Sequence, residues 1–177
     1  SISSVLQGPF QIAWPPYALK LLAEKKESLI FQKAMGYFIL AAGALVIFLG
    51  FAAPFIFALM APKEYIDSSK FVGLLAFCTM MNSLYYFPLT IFLHHQKTWA
   101  STFSFFLAAA VNISINLFVT PKVGMIGAVY ANLFSYFVLT GMAFYLSNRF
   151  HKTDFNYKKN VALLVAIFAI VFLSSLN

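Results

Sequence analysis

The sequence predicts an all-α fold, a polytopic helical bundle that spans a membrane. Three observations carry this. Apolar residues fill 62% of the 177 positions and charged residues 10%, where soluble domains carry about 25% charged residues. The charges cluster in short connections between apolar runs of spanning length. Within those runs, uncharged amides and hydroxyls recur at helical spacing. No Pro-, Ser- or charge-rich linker divides the runs, so residues 1–177 read as a single transmembrane helical bundle.

About six transmembrane helices are expected. The first covers Ile2 to Leu22 and is interrupted by Pro9, Pro15 and Pro16. Pro15-Pro16 removes two backbone donors, so the ladder either breaks beside a cavity or ends at the membrane surface. The second covers Ala34 to Ala61. Its Gly36, Gly43 and Gly50 fall at seven-residue intervals and read as a packing seam, and Pro54 predicts a kink. The third covers Phe71 to Leu93, the fourth Ala100 to Thr120, the fifth Met125 to Ser147 and the sixth Val161 to Leu176. The fourth and fifth form a hairpin whose short turn is punctuated by Pro121 and Gly124. Beyond the turn, Gly124 with Ala128 and Gly127 with Ala131 form small-xxx-small pairs, which let helix backbones approach closely in lipid.

Topology follows from the basic residues. Nine of them (Lys20, Lys25, Lys26, Lys33, Lys97, Arg149, Lys152, Lys158 and Lys159) fall on one side, and Lys63, Lys70 and Lys122 on the other. The positive-inside rule makes the first side cytoplasmic and puts both visible ends outside. The chain opens inside a helix without an initiating Met, which reads as a piece of a longer membrane protein. The net charge of +7 is accounted for by this asymmetry, so no nucleic-acid partner is expected. Glu24-Lys25-Lys26-Glu27 before Leu29, Ile30 and Phe31 reads either as an interfacial helix on anionic lipid or as a solvated connection. Tyr65, Trp99 and Tyr157 lie near span ends, where aromatic rings anchor. Cys78 is alone, which excludes an internal disulfide, and reads as a small apolar side chain.

Apart from Tyr, Cys and Lys20, ionisable side chains fall outside the spans, and a proton relay or sodium site ordinarily uses intramembrane carboxylates. Uncharged polar residues line up instead. Gln7, Gln11 and Trp14 share a face of the first helix. The third gives Thr79, Ser83, Tyr86 and Thr90 with Asn82 beside them; the fourth Ser104, Asn112 and Asn116; the fifth Asn132, Tyr136 and Thr140. One reading makes them glue between helices, worth about 0.6 kcal/mol each. The other makes them one wall of a hydrophilic cavity for hydroxyl-rich cargo, since amides both donate and accept and aromatic faces stack on sugar rings. The pathway candidates are Gln11, Trp14, Asn82, Tyr86, Asn112, Asn116 and Asn132. No catalytic, cofactor or metal site is expected. His94 and His95 are adjacent and should point apart on a helix, and Glu64 and Asp67 read as a solvated loop.

Phe10-Gln11-Ile12-Ala13-Trp14-Pro15-Pro16-Tyr17 resembles the glutamine–tryptophan–proline segment in the eighth helix of bacterial polysaccharide flippases. These belong to the multidrug, oligosaccharidyl-lipid and polysaccharide exporter superfamily. Asn112, Asn116, Pro121, Gly124, Gly127-Ala128 and Ala131 are similar to that family's next hairpin but one, and Glu64-Tyr65 fits the same alignment. The resemblance implies one bundle of a two-bundle alternating-access transporter, with the N-terminal half as its missing partner. It also implies the bacterial cytoplasmic membrane as location, and a lipid-linked oligosaccharide or polysaccharide precursor as cargo, moved to the outer leaflet. The rival readings are a cation-coupled multidrug exporter of the same superfamily, a membrane enzyme and a structural membrane subunit.

Overall fold

The computed structural model describes residues 2–24, 27–60, 69–153 and 155–176, and every regular element among them is helical. In chain order these are α1 (Ile2–Ala23), α2 (Glu27–Met60), α3 (Val72–Leu84), α4 (Tyr86–His94), α5 (Thr98–Phe118), α6 (Thr120–Val123), α7 (Met125–Phe150) and α8 (Tyr157–Leu176). Lys25, Lys26, Lys63, Glu64, Tyr65 and Asp67, which bear on the interfacial stretch, the topology and the loop before the third span, lie outside the described residues.

Among the described residues five spans, close to the expected six, are long and apolar enough to cross a membrane: Leu29–Leu59, Ser69–His94, Thr98–Phe118, Met125–Phe150 and Tyr157–Ser175. The chain is therefore a multi-pass membrane protein. α1 is helical over 22 residues but is not among the five; three prolines, two glutamines and Lys20 dilute its apolar run. The expected break at Pro15-Pro16 does not occur. Proline's fixed φ is compatible with a helix, so α1 continues to Ala23 while the carbonyls four residues earlier lose their donors. Likewise α2 continues past Pro54 to Met60. Its 34 residues extend about 51 Å, well beyond a hydrocarbon core of about 30 Å.

The hub is the α3–α4 span. Of its most apolar stretch 67% is buried, against 11% for α5, and α3 packs against α1, α2, α7 and α8. The sequence places Pro88 one turn into α4, and the α-helical ladder breaks just before it. At the break Tyr85 N–H bonds Asn82 O (3.3 Å), an i−3 bond that leaves the Met81 carbonyl without its i+4 donor. Thr140 of α7 supplies one: its Oγ1 donates to Met81 O at 2.9 Å. A carbonyl freed inside a bilayer costs several kcal/mol if unmet, so this hydroxyl ties α7 to the kink.

Two of the three α2 glycines act as the packing seam. A Cβ on Gly73 of α3 would lie 3.0 Å from the Gly50 Cα, and one on Gly43 would meet Ile167 of α8; Gly36 faces open space. Aromatic rings fill the core beside them. Trp14, Phe31, Phe87 and Phe155 are buried, with Trp14–Phe87 centroids 4.6 Å apart and Trp14–Phe31 5.0 Å.

Candidate functional site

The α5–α7 hairpin carries the densest polar chemistry inside the spans. Its turn forms as the punctuation suggests. Pro121 sits in the first turn of α6, and Gly124 takes φ +72°, a left-handed backbone that glycine tolerates. This folds the start of α7 back over α6 so closely that a Cβ on Gly127 would lie 2.7 Å from the Thr120 Cα, and α7 then runs along α5.

Residues four apart on α5 then face α7. Thr120 Oγ1 donates to Asn116 Oδ1 (3.0 Å). Asn116 Nδ2 donates to both Asn112 Oδ1 and Asn112 O, each at 3.0 Å. Asn112 Nδ2 donates across the seam to Asn132 Oδ1 (3.1 Å) and Ser135 Oγ (3.0 Å). Ser135 Oγ in turn donates to Ala131 O at 2.6 Å. The result is an ordered relay with no fixed charge. Asn132 enters it only as an acceptor among the described residues, which leaves its Nδ2 donors unspent.

Asn112, Asn132, Ser135 and Tyr136 also line an open groove of about 360 Å³ between the two helices, walled otherwise by Phe105, Ala108, Ile113 and Leu139. Its wall is mostly apolar or aromatic with a hydrogen-bonding minority from Asn112, Asn132, Ser135 and Tyr136, a lining that suits a ligand carrying hydroxyls on a carbon ring. The groove is shallow and open on one side.

The seven sequence-derived candidates do not share one surface. Asn112, Asn116 and Asn132 come together. Trp14 is 6% exposed and stacked on Phe10 at 5.7 Å, with α1 packed on α2 and α4. Its indole N–H finds no acceptor among the described residues. Gln11 is half-buried on α1, and α1 packs against α2, α3 and α4 rather than α5. Asn82 and Tyr86 are half-buried on either side of the α3–α4 kink, and Tyr86 packs against the main core. Of the other striped hydroxyls, Thr79, Ser83, Thr90 and Ser104 each bond a carbonyl of their own helix.

Sequence reasoning missed Ser135, although it stands one turn beyond Asn132, and it missed Ser101 of α5, whose hydroxyl pairs with the OH of Tyr85 at the α3–α4 break. It also separated the histidines. His95 lies just past the end of α4 and Gln96 follows with φ 56°, so the rings do not diverge as on a continuous helix. His94 and His95 centroids are 5.0 Å apart, and His95 meets His151 at 5.5 Å. Burial, followed by the nearby His94, His151 and Lys97, pushes the His95 imidazole below its ordinary pKa of 6.5. No group of three or more His, Cys, Asp or Glu among the described residues converges as a metal-binding set.

Fold and site together define a multi-pass helical membrane protein with an uncharged polar seam. The chain is similar to an uncharacterized membrane protein, MJ1068, of Methanocaldococcus jannaschii, at 23% identity over 141 residues. The match takes in 79% of this chain and 28% of that relative, so the chain spans less than a third of the relative's length. No family model matches the chain, and no solved structure matches it.

Proposed function

We propose that this chain is one bundle of a transporter that moves lipid-linked oligosaccharide or polysaccharide precursors across the bacterial cytoplasmic membrane, with an N-terminal half of the same transporter as its partner and no enzymatic step of its own. The observation that carries this reading is the Asn116–Asn112–Asn132–Ser135 relay bordering a groove between two spans. Amides held in order without a charge offer donors and acceptors to sugar hydroxyls, and the adjacent Tyr136 and Phe105 offer ring faces. Asn132, with unspent donors, is the residue assigned to first contact with cargo. Asn82 and Tyr86, half-buried on the kinked span, are assigned to the same pathway as separate contacts away from this groove. Membership of the flippase superfamily is part of this reading, and the glutamine–tryptophan–proline segment supports it.

The test is glycan export by the full-length protein carrying Asn82→Leu, Tyr86→Phe and Asn132→Leu together. Export should stop while membrane insertion persists, and uptake of cationic dyes should be unaffected. Unimpaired export overturns the assignment, and a loss confined to dye efflux replaces it with the drug-exporter reading.

A further inference from the structure

α7 and α8 both pack against α3, yet they barely touch each other. Two aromatic contacts bridge them, Phe144–Tyr157 with centroids 6.2 Å apart and Phe137–Phe168 at 6.4 Å. Between Phe137 and Phe144, on the same face of α7, stands Gly141, where an added Cβ would meet nothing within 4 Å. An aromatic ring, a glycine and a second ring thus leave a hole at the middle position. The hole is a half-open cavity of about 360 Å³, floored by Met81 and Leu84 and walled opposite Gly141 by Leu164 and Val165.

The wall is almost wholly apolar. Its polar side chains are already engaged: Thr140 Oγ1 donates to Met81 O, and Asn160 Nδ2 donates to Phe155 O. A water needs two to four polar partners, so this space does not hold ordered water. It lies between two spans of membrane-crossing length and composition, α7 and α8, so the medium that reaches it at that depth is hydrocarbon.

We propose that the α7–α8 gap binds one hydrocarbon chain of an anionic phospholipid from the cytoplasmic leaflet. Length supports it. The wall runs from Tyr157 to Phe168, which on a helix is about 16 Å, roughly half of a hydrocarbon core of about 30 Å and hence one leaflet. Charge complementarity names the head group. The polar end of the cavity lies at Tyr157, and the sequence from Arg149 to Lys159 holds Arg149, Lys152, Lys158 and Lys159 against a single acid, Asp154. A basic cluster at a span end attracts an anionic phosphate. The site is separate from the α5–α7 groove and stands whether or not the chain carries glycan.

The experiment reconstitutes the full chain in phosphatidylglycerol–phosphatidylcholine vesicles containing a phosphatidylglycerol with a photoreactive acyl chain, and maps adducts by peptide mass spectrometry. Adducts should concentrate on residues 137–168, several-fold above the exposed α5 face at Phe106 and Ile113. Gly141→Phe should remove them there and leave α5 labelling unchanged. Val165→Trp, which fills the cavity from the other wall, should do the same and covers the case of a variant that misfolds. Lys158→Gln with Lys159→Gln should abolish the preference over a photoreactive phosphatidylcholine. Labelling spread evenly over the exposed helices, or undiminished when both filling variants are folded, overturns the proposal. So does displacement by a polyprenyl phosphate but not by unlabelled phosphatidylglycerol, which would assign the gap to an isoprenoid carrier.

Discussion

The two flanks of α7 are held by different physics. Towards α5 the contact is the most extensive between any two helices among the described residues; buried small residues (Ala108, Ala131, Ala143) stand on these helices and amide and hydroxyl bonds cross between them. Towards α8 the faces are bulkier, Phe137 and Phe144 against Phe168 and Tyr157, and a cavity remains. Both flanks are apolar enough for a bilayer. The comparison shows that apolarity does not close a helix pair in lipid, because lipid tails compete for the same contacts. Small residues and polar bonds draw the α5 and α7 backbones together, beside an open groove rather than across a gap.

Two glycines of α7 give the largest contrast. Gly127→Leu forces a side chain into the Thr120 backbone, and overpacking of this kind costs about 1–3 kcal/mol. Gly141→Leu enters open space and should leave thermal unfolding in detergent unchanged or slightly improved. Equal losses at both sites would abolish the distinction.

Thr140→Val removes the hydroxyl that meets the Met81 carbonyl. Leaving that carbonyl unmet should cost about 1–2 kcal/mol, read as a lowered unfolding midpoint, whereas Thr140→Ser should restore it. A smaller effect is expected across the amide seam. A double-mutant cycle of Asn112→Ala and Asn132→Ala should give a coupling of about 0.6 kcal/mol, and a coupling of zero would show that the 3.1 Å contact adds nothing.

The smallest effect lies at the membrane surface. His95 has a lowered pKa in the folded protein, so the unfolded chain binds the proton more tightly and stability must rise with pH. The contribution is present above the ordinary imidazole value near 6.5. It is lost as pH falls below 6.5 towards the depressed folded value. Unfolding midpoints measured between pH 8 and pH 5 should therefore fall, and His95→Gln should flatten the curve. An unchanged slope would place the titration elsewhere.

The all-helical class and the hairpin were legible in the sequence because they rest on local signals. Pro121 and Gly124 set the turn, and the four-residue spacing of Asn112 and Asn116 put both amides on one face. What those amides bond was not legible. Asn132 meets Asn112 only because Gly127 lets α7 approach, a tertiary fact. Trp14 read as a lining residue from its neighbours Gln7 and Gln11, yet the orientation of α1 is decided by ring packing on Phe31 and Phe87. Pro88 held the clue to the hub, since a proline disturbs the ladder before it, but spacing does not reveal that the Met81 carbonyl is left unmet or that its donor is Thr140, 59 residues further on. The cavity beside Gly141 arises from helices that fail to meet, and no single stretch of chain encodes that.

Spin-label accessibility along α7 tests the central claim most directly. In a Cys78→Ala background reconstituted in lipid vesicles, labels are placed at Ser135 on the α5 flank and at Gly141 on the α8 flank, and collision with oxygen and with a water-soluble nickel chelate is measured at each. The two-flank account predicts position 135, which borders the open polar groove, reached by nickel more than by oxygen, and position 141 open to oxygen but closed to nickel. Position 141 shielded from both, with 135 reached by oxygen more than by nickel, would contradict it.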